Sequence, residues 1–513
     1  MKDTWILAID LGTSFIKAGV YDTATSKCLA EANEPVKDYR PGPGIFIQKG
    51  EELFASVIAC IKSVVGGLDG AGDKIQAVSF TGQMAGFMGV DDNWNDITTW
   101  SCSLDSRYMP YANEQMKSLK DDFLRIAGTN FPQMAPKAAW FKAEFPEEDA
   151  KIRKYLMISG YVIGKLGDIP IDEAVIDRTF TEWTGLSDVN NDRWSDSICS
   201  AVGIDADRLP RIVNSNTIVA HLNADMAAQT GLKAGIPLVS GAGDKPAGCL
   251  GAAIVDPGDL IFEAGSYGAV SCCVEEWRPD MEERRYDVVP SAIPGEFFVM
   301  NYITGSGITL DWYIDTFVQQ EGMPLKEAFA SIEKEMAEIP VGCNGLMSVA
   351  LLSGSAMPSV DSLKGMWMGF DWSHSKAHFY KALMESLTYD FGISLKRMKA
   401  MYPEYAMDKC SLIGGGAKSS IWPQMCADAH RKTYQILDRG DVAMWGAVIL
   451  AGNAIGVFDD MKKTAKDHVA VKKEFTPQPD MGAVYDKHAA LYEAYFHELR
   501  GFYERIAELE KNC

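Results

Sequence analysis

Apolar residues run without a break from Trp5 to Ile9 and stop at Asp10. A continuous apolar run closed by an acid reads as a strand buried on both faces. Leu11-Gly12-Thr13-Ser14 then supplies turn-forming residues, and Phe15 to Tyr21 reads as a returning strand. Together they predict a β-hairpin with a small polar tip. The design recurs at Asp259 to Val274, where a strand runs into Gly265 and Ser266 before a second strand. The two hairpins form a weak internal repeat. Tips of this kind can face each other across a cleft and hold one ligand between two domains. Two unrelated hairpins are the plainer reading.

Between and after the hairpins the pattern alternates. Lys74 to Phe80 reads as a strand ending in Thr81-Gly82-Gln83-Met84. Ile236 to Ser240 is a short strand feeding Gly241-Ala242-Gly243-Asp244, and the Gly- and Ala-rich stretch from Lys245 to Ala253 reads as a closely packed helix. Phe379, Leu383, Leu387 and Phe391 recur every fourth residue, which predicts an amphipathic helix. Cys410 to Ile413 is a strand, followed by Gly414-Gly415-Gly416 and a helix from near Ser419; Ala443 to Ala454 is another tightly packed helix. Alternating strands and helices predict an α/β protein with largely parallel sheet interiors. The turn Val255-Asp256-Pro257-Gly258 marks the expected boundary between domains at 1–255 and 256–513.

Composition narrows the partners. A chain of 513 residues is long enough for more than one core. The formal charge of −21 repels phosphate backbones, and the basic spots Lys462 to Lys466 and Lys472 to Lys473 are short and flanked by acids, so no nucleic-acid partner is expected. The 11 cysteines contain no CxxC pair, which fits free thiols in a reducing cytoplasm. Met1 to Thr4 lead directly into the first strand and no apolar run is long enough to span a bilayer, so neither signal peptide nor membrane partner is expected.

Three motifs carry candidate chemistry. In Asp10-x-Gly12-Thr13-Ser14-x-x-Lys17, an Asp at a strand end can hold a hydrated Mg²⁺, while the glycine turn, hydroxyls and Lys17 suit phosphate oxygens; an ordinary hairpin turn is the alternative. In Gly241-Ala242-Gly243-Asp244 the Asp is either a helix cap or a general base within reach of a substrate hydroxyl. In Gly414-Gly415-Gly416-Ala417 three glycines strip one surface of side chains, so that a flat group such as a purine or ribose can lie on the backbone. No GxxxxGK[ST] or GxGxxG motif is present; Gly305-x-Gly307 alone is weak. Trp312, Trp367 and Trp372 read as core aromatics rather than a sugar-stacking set, and His374 with His378 as a capped helix start rather than a metal pair.

IDLGTSFIK, SFTGQMAG, SLDSR, GAGDKPAGCLGA, EAGSYGAV, GSGITLDW and LIGGGAKSSIWPQMCADA stand in an order and spacing that resemble the FGGY carbohydrate kinases over essentially the whole chain, nearest to the xylulokinase-like members. The resemblance implies two ribonuclease-H-like domains of the actin/hexokinase ATPase type flanking a cleft that binds ATP and sugar. It implies Asp244 as catalytic base and Asp10 at Mg²⁺, with Thr13, Ser14 and Lys17 near the γ-phosphate and Gly265 and Ser266 as the second phosphate tip. Gly305, Gly307 and Gly414 to Ala417 would line the nucleotide, and Gln83, Met84 and Asp105 the sugar. Homodimers are frequent among such relatives, and the resemblance carries that assembly over as an expectation.

The chain departs from the xylulokinase pattern at Ala85, where His is usual, and at Lys245, where Asn, Gln or a small residue is commoner. Lys245 is expected to lower the pKa of Asp244 and to suit an anionic substrate, unless it points out of the cleft. Ser266 stands for the usual Thr, Ser103 for a larger residue, and Leu352 to Pro358 lacks the usual Glu-Arg. The expected reaction is phosphorylation of a ketopentose such as xylulose by ATP. Ribulose, erythritol, gluconate or an autoinducer-type molecule are the alternative substrates, and a non-catalytic nucleotide-dependent binding protein of the same fold is the rival class.

Overall fold

The computed structural model describes residues 4–320 and 322–511. The reading of the extreme N-terminus falls on residues 1–3, outside them. The first sheet contains β1 (Trp5–Leu11), β2 (Phe15–Asp22), β3 (Cys28–Pro35), β4 (Ile75–Gly82), β5 (Ile218–His221) and β6 (Pro237–Val239), in the order β5-β6-β4-β1-β2-β3. The second contains β7 (Leu260–Ala264), β8 (Gly268–Val274), β9 (Asp287–Pro290), β10 (Phe297–Ile303), β11 (Lys409–Ile413), β12 (Thr433–Leu437) and β13 (Val471–Phe475), in the order β9-β10-β8-β7-β11-β12-β13.

With β9 set aside, the two sheets match strand for strand. Each has three antiparallel strands joined at the hairpin (β3-β2-β1 and β10-β8-β7), then two parallel partners (β4, β6 and β11, β12), then an antiparallel edge (β5 and β13). The weak repeat of the sequence is thus a duplication of the fold. The largely parallel interior expected from the sequence holds only for the three strands at the centre of each sheet, because each hairpin turns the chain back beside its own strand.

Helices cover the sheets: α1 (Gly50–Gly66), α2 (Asp244–Gly251), α3 (Gly307–Tyr313), α4 (Lys376–Met401), α5 (Trp422–His430), α6 (Val442–Ala454) and α7 (Met481–Glu498). In α4, Leu383, Leu387 and Phe391 are buried in the second core, as their spacing predicts. α6 carries no charged residue and is buried on several sides, packing on Ile6, Ala8 and Ala77 of the first sheet and on α2. The two helices meet through glycine. A Cβ at Gly251 would lie 1.9 Å from the Val442 carbonyl oxygen, and one at Gly446 the same distance from that of Ala247. α2 and α6 follow β6 and β12, the equivalent strands of the duplication, so the two halves clasp each other through equivalent helices.

The chain between β4 and β5 adds a layer of short elements, including strands at Gly86–Val90, Ser101–Cys102 and Lys154–Leu156. No helix among the described residues is long and apolar enough to cross a membrane, and the described cysteines are all free. His378 and Ser375 form a capping box at the start of α4, the bland reading of the histidine pair. The core reading of the tryptophans needs correction. Trp312 stacks on Trp367 at 6.2 Å but is 39% exposed, and Trp372 lies fully on the surface.

Candidate functional site

After β6 the chain turns through Gly241-Ala242-Gly243 into α2, whose first residue is Asp244. Gly243 is the N-cap and Asp244 already the first helical residue, so the cap reading of this acid fails, although the Lys245 backbone N–H does reach its carboxyl. The turn is held by neighbours. The Ala242 N–H donates to the Phe80 carbonyl at 3.1 Å and the Gly243 N–H to Thr179 Oγ1 at 2.8 Å. A side chain at Gly243 would strike Met84, whose Cγ lies 2.5 Å from the Cβ position. Met84 therefore packs beneath the turn that presents Asp244.

Burial pushes the Asp244 carboxyl up to about 6. Lys245 opposes this, while Glu263 and Asp10 add to it. The cation next in sequence does pull downward, as expected, but desolvation wins. Asp10 lies near the end of β1 and Glu263 near the end of β7, equivalent places in the duplicated sheets. Asp10 is itself raised by burial against the pull of Lys17, its cross-strand partner. Lys245 neither points away nor stands free: it ion-pairs with Glu263 of the other half. Burial works against its charge, yet Glu263 and Asp244 hold its pKa above the ordinary lysine value. Removing Lys245 as Lys245→Met is expected to move the acid limb of kcat/KM upward by roughly 1 pH unit, and Glu263→Gln to move it downward, in pH–rate profiles.

The first tip is braced from below. Gln83 donates from Nε2 to the Gly12 carbonyl at 3.2 Å, and its Oε1 accepts from Trp100 Nε1 at 3.1 Å. Gln48 Nε2 donates to the Thr13 carbonyl at 2.8 Å. Thr13 is half-buried, whereas Ser14 and Lys17 are exposed. Asp105 is fully buried and gripped by Arg107, whose Nε and Nη2 lie 2.9 and 2.6 Å from its oxygens, with Ser101 Oγ at 2.7 Å. Burial raises its pKa, but Arg107 and Ser101 more than offset this and leave it below the usual carboxylate value. The same loop is pinned by Lys137, which donates to the Ser101 carbonyl at 2.9 Å and to that of Cys102, and whose pKa burial lowers to about 7.

The second tip gathers the remaining glycines. The Gly307 and Ile308 N–H groups, at the start of α3, donate to the carbonyls of Gly265 at 2.8 Å and Ser266 at 3.1 Å. Gly414 follows β11 with φ +88°, and a Cβ there would fall 2.8 Å from the Ala264 carbonyl group. Gly82, its equivalent at the end of β4, has φ +146° and would place a Cβ 2.5 Å from the Leu11 carbonyl oxygen. Both positions need glycine because the tip's backbone passes directly over them. Gly305 adjoins α3, and Gly415 to Lys418 form one 3₁₀ turn beyond Gly414. The structure therefore gathers Asp10, the first tip, Gln83, Met84 and Asp244 in one half. It gathers Gly265, Ser266, Gly305, Gly307 and Gly414 to Ala417 in the other, and joins the two through Lys245 and Glu263. Asp105 attaches through the loop below Trp100. A cavity of about 500 Å³ opens elsewhere, among Thr388, Lys396, His430 and Lys432, and contains none of these residues.

Sequence reasoning passed over Glu263, Lys137, Glu182, Trp183, Asp287 and Tyr302. Glu263 carried a signal, an acid inside an apolar strand just before a glycine tip. The others come from segments far apart in the chain and show no local pattern.

Duplicated sheets, a clasping helix pair and two glycine-hydroxyl tips on either side of one half-buried carboxyl define a two-domain fold of the actin and hexokinase type. Residues 5–251 match the N-terminal domain and residues 268–455 the C-terminal domain of the FGGY family of carbohydrate kinases, and the chain belongs to that family. Xylulose kinase from Bacillus subtilis (strain 168) is 25% identical over 513 residues, spanning 99% of this chain and 100% of that protein. Gluconokinase from Bacillus licheniformis is 24% identical over 519 residues, with 99% of each chain covered. Among solved structures, gluconate kinase from Lactobacillus acidophilus superposes with a TM-score of 0.89 at 20% identity, covering 98% of this chain and 99% of its own.

Carbohydrate kinases of this family use ATP, generally with Mg²⁺, and the residues present fit both. The bare backbone at Gly414 to Gly416 suits a flat nucleoside. The described residues hold no cluster of three or more metal-ligating side chains. Asp10 with Asp244 nearby instead suits an ion that keeps several waters and shares phosphate oxygens.

Proposed function

We propose that the chain transfers the terminal phosphoryl group of ATP to a hydroxyl of a ketopentose such as xylulose, giving a sugar phosphate and ADP. The observation that carries this reading is Asp244, a carboxyl raised to about 6 and flanked by Asp10 and Glu263 at the ends of the two hairpin strands. A base with that pKa is mostly ionised at neutral pH yet basic enough to accept a proton from an alcohol as its oxygen attacks phosphorus. In this reading Asp10 holds Mg²⁺, which neutralises phosphate charge when bound. Thr13, Ser14, Lys17, Gly265 and Ser266 receive the phosphates. Gly305, Gly307 and Gly414 to Ala417 receive the nucleoside, and Gln83, Met84 and Asp105 border the sugar. Gln83 and Asp105 would act largely by position, since each is tied to a neighbour. The proposed domains are 1–255, with sugar and base, and 256–513, with nucleotide. Closure around bound sugar would exclude water and suppress idle ATP hydrolysis.

The reading is tested by coupled ADP release over a panel of ketoses, polyols and sugar acids. ADP formation that depends on a ketopentose is expected. A thermal shift with an ATP analogue but with no sugar in the panel would favour the binding-protein class instead.

A further inference from the structure

Beside Asp244 the two halves meet at a second set of polar groups. Glu182 and Trp183 come from the layer added to the first half; Asp287 opens β9 and Tyr302 lies in β10 of the second. Trp183 and Tyr302 are half-buried, with ring centroids 5.4 Å apart. Glu182 and Asp287 lie behind them, both at 0% exposure. Asn130 donates to Asp287 Oδ1 from its backbone and side-chain nitrogens, each at 2.8 Å. Both Glu182 oxygens, Asp287 Oδ2, the Tyr302 hydroxyl and Trp183 Nε1 are buried with no partner at full hydrogen-bond geometry, although Glu182, Trp183 and Asp287 act on one another and Thr129 acts on Glu182.

Five polar atoms so weakly compensated in one place are costly to fold, since each forfeits water for little in return. Burial drives Glu182 well above the usual carboxylate range and Asp287 up to about 7, and the two acids act on each other with no cation between them. The Tyr302 hydroxyl lies in the field of Glu182 and Asp287 and also of Asp244 and Glu263, so the set adjoins the proposed base. Carboxyls that burial holds largely protonated offer both donors and acceptors behind an aromatic pair, which suits a chain of hydroxyls whose C–H faces pack on the rings. They do not suit a carboxylate-ended chain. The cations beside the set are already engaged, Lys245 by Glu263, and Arg284, which also donates to Asn130 Oδ1 at 3.1 Å, by Asp121.

We propose that this pocket receives the end of the substrate remote from the phosphorylated hydroxyl, and that Glu182, Asp287 and Tyr302 confine the enzyme to neutral polyhydroxy compounds and exclude sugar acids. The inference rests on the kinase reading above and narrows its substrate class.

The test uses the full-length protein with neutral ketoses and alditols and with the matching aldonates. For wild type, kcat/KM for every aldonate is expected at least about 50-fold below the best neutral compound. Tyr302→Phe and Glu182→Gln are each expected to raise KM for that compound about 10-fold with kcat within about 3-fold, the loss of one hydrogen bond made equally in ground and transition states. ADP affinity should not move. Glu182→Gln puts a neutral side chain of the same size where burial and Asp287 already disfavour charge, so its melting temperature should not fall, which separates lost recognition from lost folding. An aldonate as best substrate would overturn the inference while leaving the kinase reading intact. So would an unchanged KM in both folded variants. If wild type turns over nothing, the kinase reading fails, and calorimetry with neutral polyols and an ATP analogue tests the pocket separately. Binding weakened in both variants supports it, and no binding to wild type overturns it.

Discussion

Asp244→Asn is expected to lower kcat by about 10³-fold, within the range for loss of a positioned general base, and to leave nucleotide binding close to wild type. Asparagine keeps the size of the side chain and cannot accept the hydroxyl proton. The loss should fall on kcat and on kcat/KM alike, because the proton moves only in the transition state. In wild type the same group sets the acid limb. Burial raises Asp244 to about 6, so kcat/KM should fall tenfold per pH unit below that value and level off above it. The pH–rate profile of the free enzyme and a nucleotide titration of the variant check both statements.

Gly446→Ala is expected to be the most damaging small change away from the chemistry. The added methyl would sit 1.9 Å from the Ala247 carbonyl oxygen and 2.7 Å from its carbon, both backbone atoms that no rotamer change can clear. α6 and α2 must part, at about 3 kcal/mol of overpacking strain. Ala247 is three residues beyond Asp244 on α2. A shift of the helix by about 1 Å displaces the carboxyl and should reduce kcat/KM by about 10²-fold. Gly251→Ala should behave alike, since its Cβ would meet the Val442 oxygen from the opposite side. Gly440→Ala, with nothing within 4 Å of the added carbon, is the control and should be nearly neutral. Thermal melts and steady-state kinetics of the three variants decide the matter.

Much of this was legible because the chemistry sits where short-range pattern is strongest. The runs ending at Asp10 and Ala264 announce strands, and the Gly-plus-hydroxyl residues after them announce tips. The duplication was visible only faintly, because a few residues of each tip resemble each other while the sheets behind them share topology rather than sequence. Gly82 and Gly414 are equivalent in the fold, yet one stands in a TGQM turn and the other in a triple glycine. What the sequence hid is contact between distant segments. Lys245 reads as a free cation beside an acid, and only the pairing of the two halves supplies Glu263 to neutralise it. Trp372 reads as core because tryptophan usually is, and nothing local tells that its loop lies outside. Glu182 and Asp287 are 105 positions apart and meet only across the interdomain joint, as the mutual effect of their carboxyls shows.

The central claim is that a sugar hydroxyl, activated by Asp244, takes phosphate from ATP between the two tips. The most direct measurement follows ADP and sugar phosphate together, with wild type and Asp244→Asn, in the presence and absence of a ketopentose. The account predicts equal amounts of both products, formed only when the sugar is present and nearly abolished in the variant. ADP release indifferent to every sugar, or a variant as active as wild type, would contradict it.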